Sequence, residues 1–211
     1  MPKTDPARVR AILDALAALY PDPVCALRYG KPYELLFAVI LSAQCTDARV
    51  NMITPALFEK YPSLEAFAGA DIADVEECIR SCGFYHTKAR AIVETAGILL
   101  DSYGGELPDT LEELVKLPGV GRKTANLILG DVYRRPGAVV TDTHCIRIAN
   151  RLELCEGREP EKVERALREV LPPEESSDFC HRLVLHGRAL CTARRPDCAH
   201  CPLYLSLCRG A

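Results

Sequence analysis

The 211-residue chain lacks a long hydrophobic run, since its longest purely apolar stretch extends only from Leu35 to Leu41. A membrane-spanning helix needs about 20 such residues, so we expect no membrane partner. The amino terminus has charges inside its apolar stretch and no small-residue cleavage site, which makes it a poor signal peptide. These features predict a protein of the reducing cytoplasm.

An excess of positive charge is also missing. The formal net charge is −3 and the isoelectric point is about 6.0, so the overall charge does not indicate nucleic-acid binding. Basic residues nevertheless occur in adjacent pairs, such as Arg122-Lys123 and Arg194-Arg195. Because such a pair is more often a solvated surface than a ligand site, charge alone leaves the function open.

Period-two alternation of apolar and polar residues is absent, which argues against half-buried strands. Helical spacing dominates instead, and residues 33–43 are apolar on almost every face, as in a buried central helix. Thr54-Pro55 is typical of an N-cap and the first position of a helix, and Thr87 predicts another helix start. The sequence predicts an all-α fold of two helical modules, divided at the turn 134–137.

Eleven cysteines are present, and the last four follow the pattern C-x6-C-x2-C-x6-C between Cys191 and Cys208. Such a group can bind zinc, hold an iron–sulfur cluster or form disulfides. One short C-x2-C knuckle between two longer arms favours a [4Fe-4S] cluster, whereas zinc ribbons usually pair two knuckles. The nearby histidines His181, His186 and His200 keep a mixed zinc site open, and a reducing compartment argues against disulfides.

The segment LPGVGRKTA lies between two predicted helices. Gly119 and Gly121 flank Val120 and allow a tight turn, in which the amides of Val120, Gly121 and Arg122 face outward. Such a nest of N–H groups can bind a phosphate, although an ordinary helical hairpin is the alternative for an isolated G-x-G. Lys123 lies in the first turn of the next helix, where the dipole favours the free amine and hence a nucleophile.

Asp142, in the segment VVTDTH, is the acidic group that would complement this lysine. A carboxylate just before a helix is commonly its N-cap, and that alternative stays open. Because Thr141 and Thr143 can also cap the helix, we expect Asp142 to be released for another role.

Several segments together resemble the endonuclease III family of DNA base-excision glycosylases, in the family's order and over nearly the full chain. They are LSAQCTD (41–47), CGFYHTKA (82–89), LPGVGRKTAN (117–126), TDTH (141–144) and the closing cysteine loop. The combination is specific, although each motif alone is not.

The resemblance implies two helical modules with damaged double-stranded DNA bound in a cleft between them. A six-helix module with the helix-hairpin-helix would comprise residues 25–135, and residues 1–24 and 136–211 would form the second, with the cluster loop at 191–208. Cys191, Cys198, Cys201 and Cys208 would hold the [4Fe-4S] cluster, and Arg194 and Arg195 would meet phosphates.

The resemblance further implies a bifunctional DNA glycosylase and AP lyase that removes oxidised pyrimidines, acting as a monomer in the bacterial cytoplasm and nucleoid. Lys123 would attack C1′ of the damaged nucleotide and form a Schiff base, and Asp142 would handle protons and stabilise positive charge on the sugar. Gln44 and Phe84 would enter the duplex where the nucleotide has been flipped out.

Two alternatives stay open. An adenine mismatch glycosylase shares the hairpin, the aspartate and the cluster, but typically lacks the lysine and carries a long carboxy-terminal extension. A non-catalytic DNA-binding protein could use the metal loop as a structural clip. Two spacings also exceed the family pattern by one residue: the last arm of the cysteine loop, and the separation of Lys123 and Asp142.

Overall fold

The protein is described by a computed structural model that covers residues 5–204 and 206–208. Those residues contain helices and no β-strand, which confirms the all-α prediction, and none of the helices is long and apolar enough to cross a membrane. The α-helices are α1 Pro6–Leu19, α2 Pro32–Ser42, α3 Asp47–Lys60, α4 Leu64–Ala68, α5 Ile72–Ile79, α6 Tyr85–Tyr103, α7 Leu111–Leu114, α8 Arg122–Asp131, α9 Thr143–Arg151, α10 Pro160–Val170 and α11 Ser176–Ala189. Short 3-10 helices occur at Pro173–Glu175 and Cys198–His200.

The chain forms two compact units. The first, called the central unit, comprises Cys25–Tyr133 and contains α2 to α8. The second, called the terminal unit, combines the described residues before Cys25 with those after Tyr133, and contains α1 and α9 to α11.

Helix α2 forms the core of the central unit. All residues from Leu35 to Leu41 are buried, as the sequence predicts, and the helix contacts α3, α6 and α8. Phe37 packs edge-on against Phe67 of α4, with ring centroids 4.9 Å apart. Because α2 is apolar on every face, it can only be stable when other helices surround it.

Two predicted helix starts are wrong. Helix α3 begins at Asp47, where the Thr46 hydroxyl accepts a hydrogen bond from the Arg49 amide (3.2 Å), and it continues through Pro55. Its buried residues Val50, Thr54 and Leu57 are spaced four and three apart, so packing of this face outweighs the cost of the interior proline.

Helix α6 also starts earlier than predicted, at Tyr85 rather than Thr87. Its N-cap is Phe84 in a left-handed backbone conformation, with φ 58°. A sequence pattern gives no sign of such a conformation at an aromatic residue, because left-handed residues are usually glycine or asparagine.

The terminal unit is built on close helix packing. Helix α11 contacts both α1 and α9. A Cβ at Gly187 of α11 would lie 2.9 Å from the Arg147 guanidinium of α9 and would overlap the His144 ring, so a larger residue there would force these two side chains to move. Arg10 of α1 forms two hydrogen bonds to the Glu175 carboxylate, of 2.6 and 3.0 Å, which fixes α1 beside the start of α11.

Candidate functional site

The glycine-rich turn joins α7 to α8 in the central unit. Helix α7 begins where the Thr110 hydroxyl accepts a hydrogen bond from the Glu113 amide (3.3 Å). The Val120 side chain is buried below the turn. The expectation that the Val120 amide faces outward is wrong, because this amide donates to the Leu117 carbonyl inside the turn (3.1 Å). This anchoring leaves the backbone on the other side of the turn exposed.

Gly119 is required in this turn for two physical reasons. Its φ of 75° lies in the left-handed region, which favours glycine. A Cβ at this position would also lie 3.2 Å from Cβ of Ala91 and 3.5 Å from Cγ2 of Ile40. The turn can therefore approach α2 and α6 closely only with a glycine at position 119.

Lys123 lies in the first turn of α8 and is exposed. The N-cap of this helix is Gly121, which offers no side-chain acceptor to the first-turn amides. The amides at a helix start have no intrahelical acceptor, and the helix dipole adds partial positive charge there. The hairpin thus places an accessible amine beside a helix start that carries partial positive charge.

Asp142 is the N-cap of α9 in the terminal unit. Its Oδ1 atom accepts a hydrogen bond from the Cys145 amide (2.7 Å). The expectation that Thr141 or Thr143 would take over this role is wrong, because neither residue occupies the cap position. Asp142 is half-buried and its second carboxylate oxygen is not used by the cap, so capping and chemistry are compatible at this residue.

Gln44 and Phe84 lie on two adjacent turns of the central unit. Both side chains belong to exposed residues, and both backbones are left-handed, with φ values of 54° and 58°. The turns pack against each other: a Cβ at Gly83 would lie 3.7 Å from the Gln44 carbonyl oxygen. The Sγ atoms of Cys45 and Cys82 are 3.8 Å apart. The structure therefore brings these two sequence-predicted residues together.

Lys88 is a residue of this region that the sequence analysis misses. It is only 5% exposed, and its ammonium donates to the carbonyls of Leu41 (2.9 Å) and Ala43 (2.7 Å). Burial lowers the pKa of Lys88, while the nearby thiols of Cys82 and Cys45 act in the opposite direction. Sequence alone identifies it only as a basic residue near Arg90, because its burial depends on the fold.

The four cysteines of the carboxy-terminal loop line one cavity that is partly open to solvent. The cavity wall is otherwise formed mainly by apolar residues, among them Ile148, Leu152, Leu190 and Leu203. Cys208, which follows the longer last arm, lines this cavity with the other three.

Polar groups contact three of the cavity sulfurs. The Arg151 guanidinium donates to Sγ of Cys191 at 3.0 Å, whereas the Arg151 carbonyl is an acceptor, to which the Cys208 thiol donates at 3.5 Å. Nε2 of the buried His186 lies 3.6 Å from Sγ of Cys201. Burial raises the pKa of the Cys201 thiol, but hydrogen bonds from the backbone amides that follow it oppose that rise. The donors at Cys191 and Cys201 stabilise thiolates, so this part of the cavity fits an anionic metal–sulfur cluster.

Arg194 and Arg195 are exposed on the same loop. The Thr192 hydroxyl accepts from the Arg195 amide (3.3 Å) and donates to the Arg195 carbonyl (2.6 Å). This small turn fixes the backbone from which both arginine side chains extend.

Comparison with known proteins identifies the family. Residues 37–173 match the model of the HhH-GPD superfamily of base excision DNA repair proteins. The chain belongs to the endonuclease III family of that superfamily. It is accordingly a DNA glycosylase of base-excision repair, as the sequence motifs predict.

The relatives cover nearly the whole chain. It is 43% identical to endonuclease III of Synechocystis sp., with 97% of this chain and 93% of the relative covered. It is 42% identical to that of Bacillus subtilis, with 96% and 92% covered. A solved structure of a trapped endonuclease III–DNA covalent intermediate, an estranged-adenine complex, matches with a TM-score of 0.90 and 43% identity, covering 97% of this chain and 96% of that one.

The cysteine loop is recognised separately. Residues 191–204 match the iron–sulfur binding domain of endonuclease III. The predicted [4Fe-4S] cofactor is confirmed, and the zinc alternative is not. Cys208 lies outside the matched segment, and its assignment as the fourth ligand rests on its place in the cavity wall.

Proposed function

We propose that this DNA-binding enzyme is a bifunctional glycosylase and AP lyase that removes oxidised pyrimidines from double-stranded DNA. The observation that carries the proposal is the exposed amine of Lys123, placed directly after a phosphate-binding type of turn. The similarity to an endonuclease III trapped covalently on DNA supports a covalent mechanism.

In the proposed reaction the Lys123 nitrogen forms a bond to C1′ of the damaged nucleotide, and the bond from C1′ to the base breaks. Loss of a proton and opening of the sugar ring give a Schiff base. A proton is then removed from C2′, and the 3′ phosphate leaves by β-elimination. Water finally hydrolyses the Schiff base and restores the amine.

Asp142 is proposed to assist this reaction through its carboxylate. As the base departs, positive charge develops on the sugar, and a nearby carboxylate stabilises that charge. The same carboxylate can accept the proton that the Lys123 nitrogen loses after it has bonded to C1′. The cap hydrogen bond holds Oδ1 in place and thereby fixes the orientation of Oδ2.

The remaining proposed contacts position the DNA. The hairpin turn of Gly119, Val120, Gly121 and Arg122 would bind a phosphate through the Gly121 and Arg122 amides, because the Val120 amide donates to the Leu117 carbonyl. Such a turn needs no large basic patch. Arg194 and Arg195 would bind phosphates from the cluster loop. Gln44 would face the orphaned base, and Phe84 would fill the interrupted stack.

The cofactor would be held by Cys191, Cys198, Cys201 and Cys208. Bound there, the cluster supplies cross-links that fix the carboxy-terminal loop. The chain's own contribution is to shield it with apolar side chains and to present Arg194 and Arg195 on the fixed loop. We propose that the enzyme acts as a monomer in the cytoplasm.

Borohydride trapping tests the proposal. With duplex DNA containing one oxidised pyrimidine, borohydride is expected to reduce the Schiff base and link wild-type protein to DNA. Lys123→Ala should give no linked product, whereas Lys116→Ala, which removes an exposed lysine before the same turn, should trap as wild type. Trapping by Lys123→Ala would show that another amine is the nucleophile.

Asp142→Asn isolates the carboxylate chemistry, because asparagine is as good an N-cap as aspartate. This variant should keep its fold and its affinity for damaged DNA but lose base release. Full turnover by Asp142→Asn would remove the assigned role.

A further inference from the structure

We propose that Lys88 is a positioning residue that holds Gln44 in the conformation in which it enters the duplex. The inference deepens the proposed function and rests on the role given there to Gln44. Lys88 belongs to the first turn of α6, whereas Gln44 follows the end of α2.

The Lys88 ammonium binds the backbone on both sides of the end of α2. It donates to the carbonyl of Leu41, inside the helix, and to that of Ala43, the residue directly before Gln44. The last carbonyls of a helix have no intrahelical donor, and the helix dipole makes them attractive to a cation. Lys88 thus fixes the peptide unit from which the Gln44 turn departs.

Gln44 itself adopts a conformation that its sequence does not favour. Its φ of 54° is in the left-handed region, which an L-residue populates at least roughly tenfold less than the right-handed region. Such a conformation persists only where surrounding contacts determine it. The two bonds from Lys88 to the preceding segment are contacts of that kind.

Burial of the lysine supports a specific purpose. A helix end can satisfy its carbonyls with a glycine turn or with water, at no cost of desolvating a cation. Lys88 is buried nevertheless, and it connects the Gln44 turn to the helix that Phe84 begins. The Lys88 amide donates to the Phe84 carbonyl (3.1 Å), so one residue contacts both turns.

The test compares binding to two duplexes, one with a tetrahydrofuran abasic site and one undamaged. Lys88→Met, which keeps the side-chain length without the donors, should bind the abasic duplex about tenfold more weakly, the scale of one destabilised left-handed residue. Binding to undamaged duplex should change less than about twofold, because phosphate contacts dominate it. Lys60→Met, which removes an exposed lysine of the same unit, should match wild type on both duplexes.

A double-mutant cycle with Gln44→Ala separates positioning from general stability. If Lys88 acts through Gln44, Lys88→Met should have little further effect in the Gln44→Ala background. Additive losses, or equal losses on both duplexes, would overturn the inference. Lys88→Gln retains an N–H donor, so its affinity for the abasic duplex should lie between those of wild type and Lys88→Met. It replaces Lys88→Met in the comparison if that variant does not fold.

The failures of the two proposals are distinguishable. If Gln44→Ala binds the abasic duplex as wild type does, the role of Gln44 in the proposed function is wrong. If Gln44→Ala binds weakly while Lys88→Met binds normally, only the positioning role of Lys88 is wrong.

Discussion

Gly119→Ala is the sharpest test of the hairpin, because two separate penalties apply at this position. The backbone φ of 75° is left-handed, and the new methyl would lie 3.2 Å from Cβ of Ala91 and 3.5 Å from Cγ2 of Ile40. Both neighbours are buried, on α6 and α2, and neither can rotate a long flexible side chain away. Relief therefore requires the turn to move as a whole.

The expected cost follows from these two penalties. A left-handed L-residue costs about 1–2 kcal/mol, and overpacking of a core by one methyl costs about 1–3 kcal/mol. Because movement of the turn relieves part of the clash, we expect a loss of about 2–4 kcal/mol in the free energy of unfolding. The displaced turn should also weaken DNA binding, since it carries the proposed phosphate amides.

Guanidinium denaturation followed by circular dichroism measures the loss, with Gly97→Ala as the matched control. Gly97 is a helical residue of α6 with no atom within 4 Å of an added Cβ, so alanine there should stabilise by about 0.5–1 kcal/mol. Opposite signs for the two changes would confirm the local geometry. Equal stability of Gly119→Ala and wild type would refute the reasoning.

Three further predictions concern the terminal unit. Asp142→Ala should lower stability by about 1 kcal/mol while Asp142→Asn should not, a difference that thermal denaturation of the two variants detects. Arg151→Met removes the hydrogen-bond donor that lies 3.0 Å from Sγ of Cys191. When chelator is added, the variant should lose its cluster about tenfold faster than wild type, as measured by the decay of visible absorbance; an unchanged rate would contradict this role. The hydrogen bond from Arg10 lowers the pKa of Glu175 below its usual value of 4.5. The ion pair therefore contributes its full stability at pH values above 4.5, and this contribution is lost as the pH falls through the lowered pKa. Arg10→Met should therefore cost at most about 0.5–1 kcal/mol near pH 7, since the pair is partly exposed, and the denaturation curves of variant and wild type should converge in acid.

The helices could be predicted from the sequence where a local pattern determines them. The apolar stretch Leu35–Leu41 predicts a buried helix, and it forms the buried part of α2. The cysteine loop and the G-x-G turn can also be predicted from short segments. The spacing of the metal ligands identifies the loop, and the conformational freedom of glycine identifies the turn.

The errors arise where tertiary packing decides between local alternatives. An N-cap fits both Thr46 and Thr54, and Pro55 favours Thr54. The helix nevertheless begins after Thr46, because the buried face of α3 already starts before Thr54. At α9 three consecutive residues can cap, and only the structure shows that Asp142 does. Lys88 has no local signature, because its burial depends on the fold around it.

Backbone strain in the central unit is concentrated at the residues proposed to contact DNA. Among the described non-glycine residues of that unit, those with positive φ are Gln44 and Phe84, and each costs about 1–2 kcal/mol. A fold under selection for stability alone would place glycine or asparagine at such positions. Such strain persists only where the surrounding structure determines it. We propose that its benefit is to hold both side chains ready for insertion before DNA binds. If so, replacing Gln44 by glycine should stabilise the protein while weakening binding to an abasic duplex, and a glycine variant that binds as wild type would show that the strain has no role in recognition.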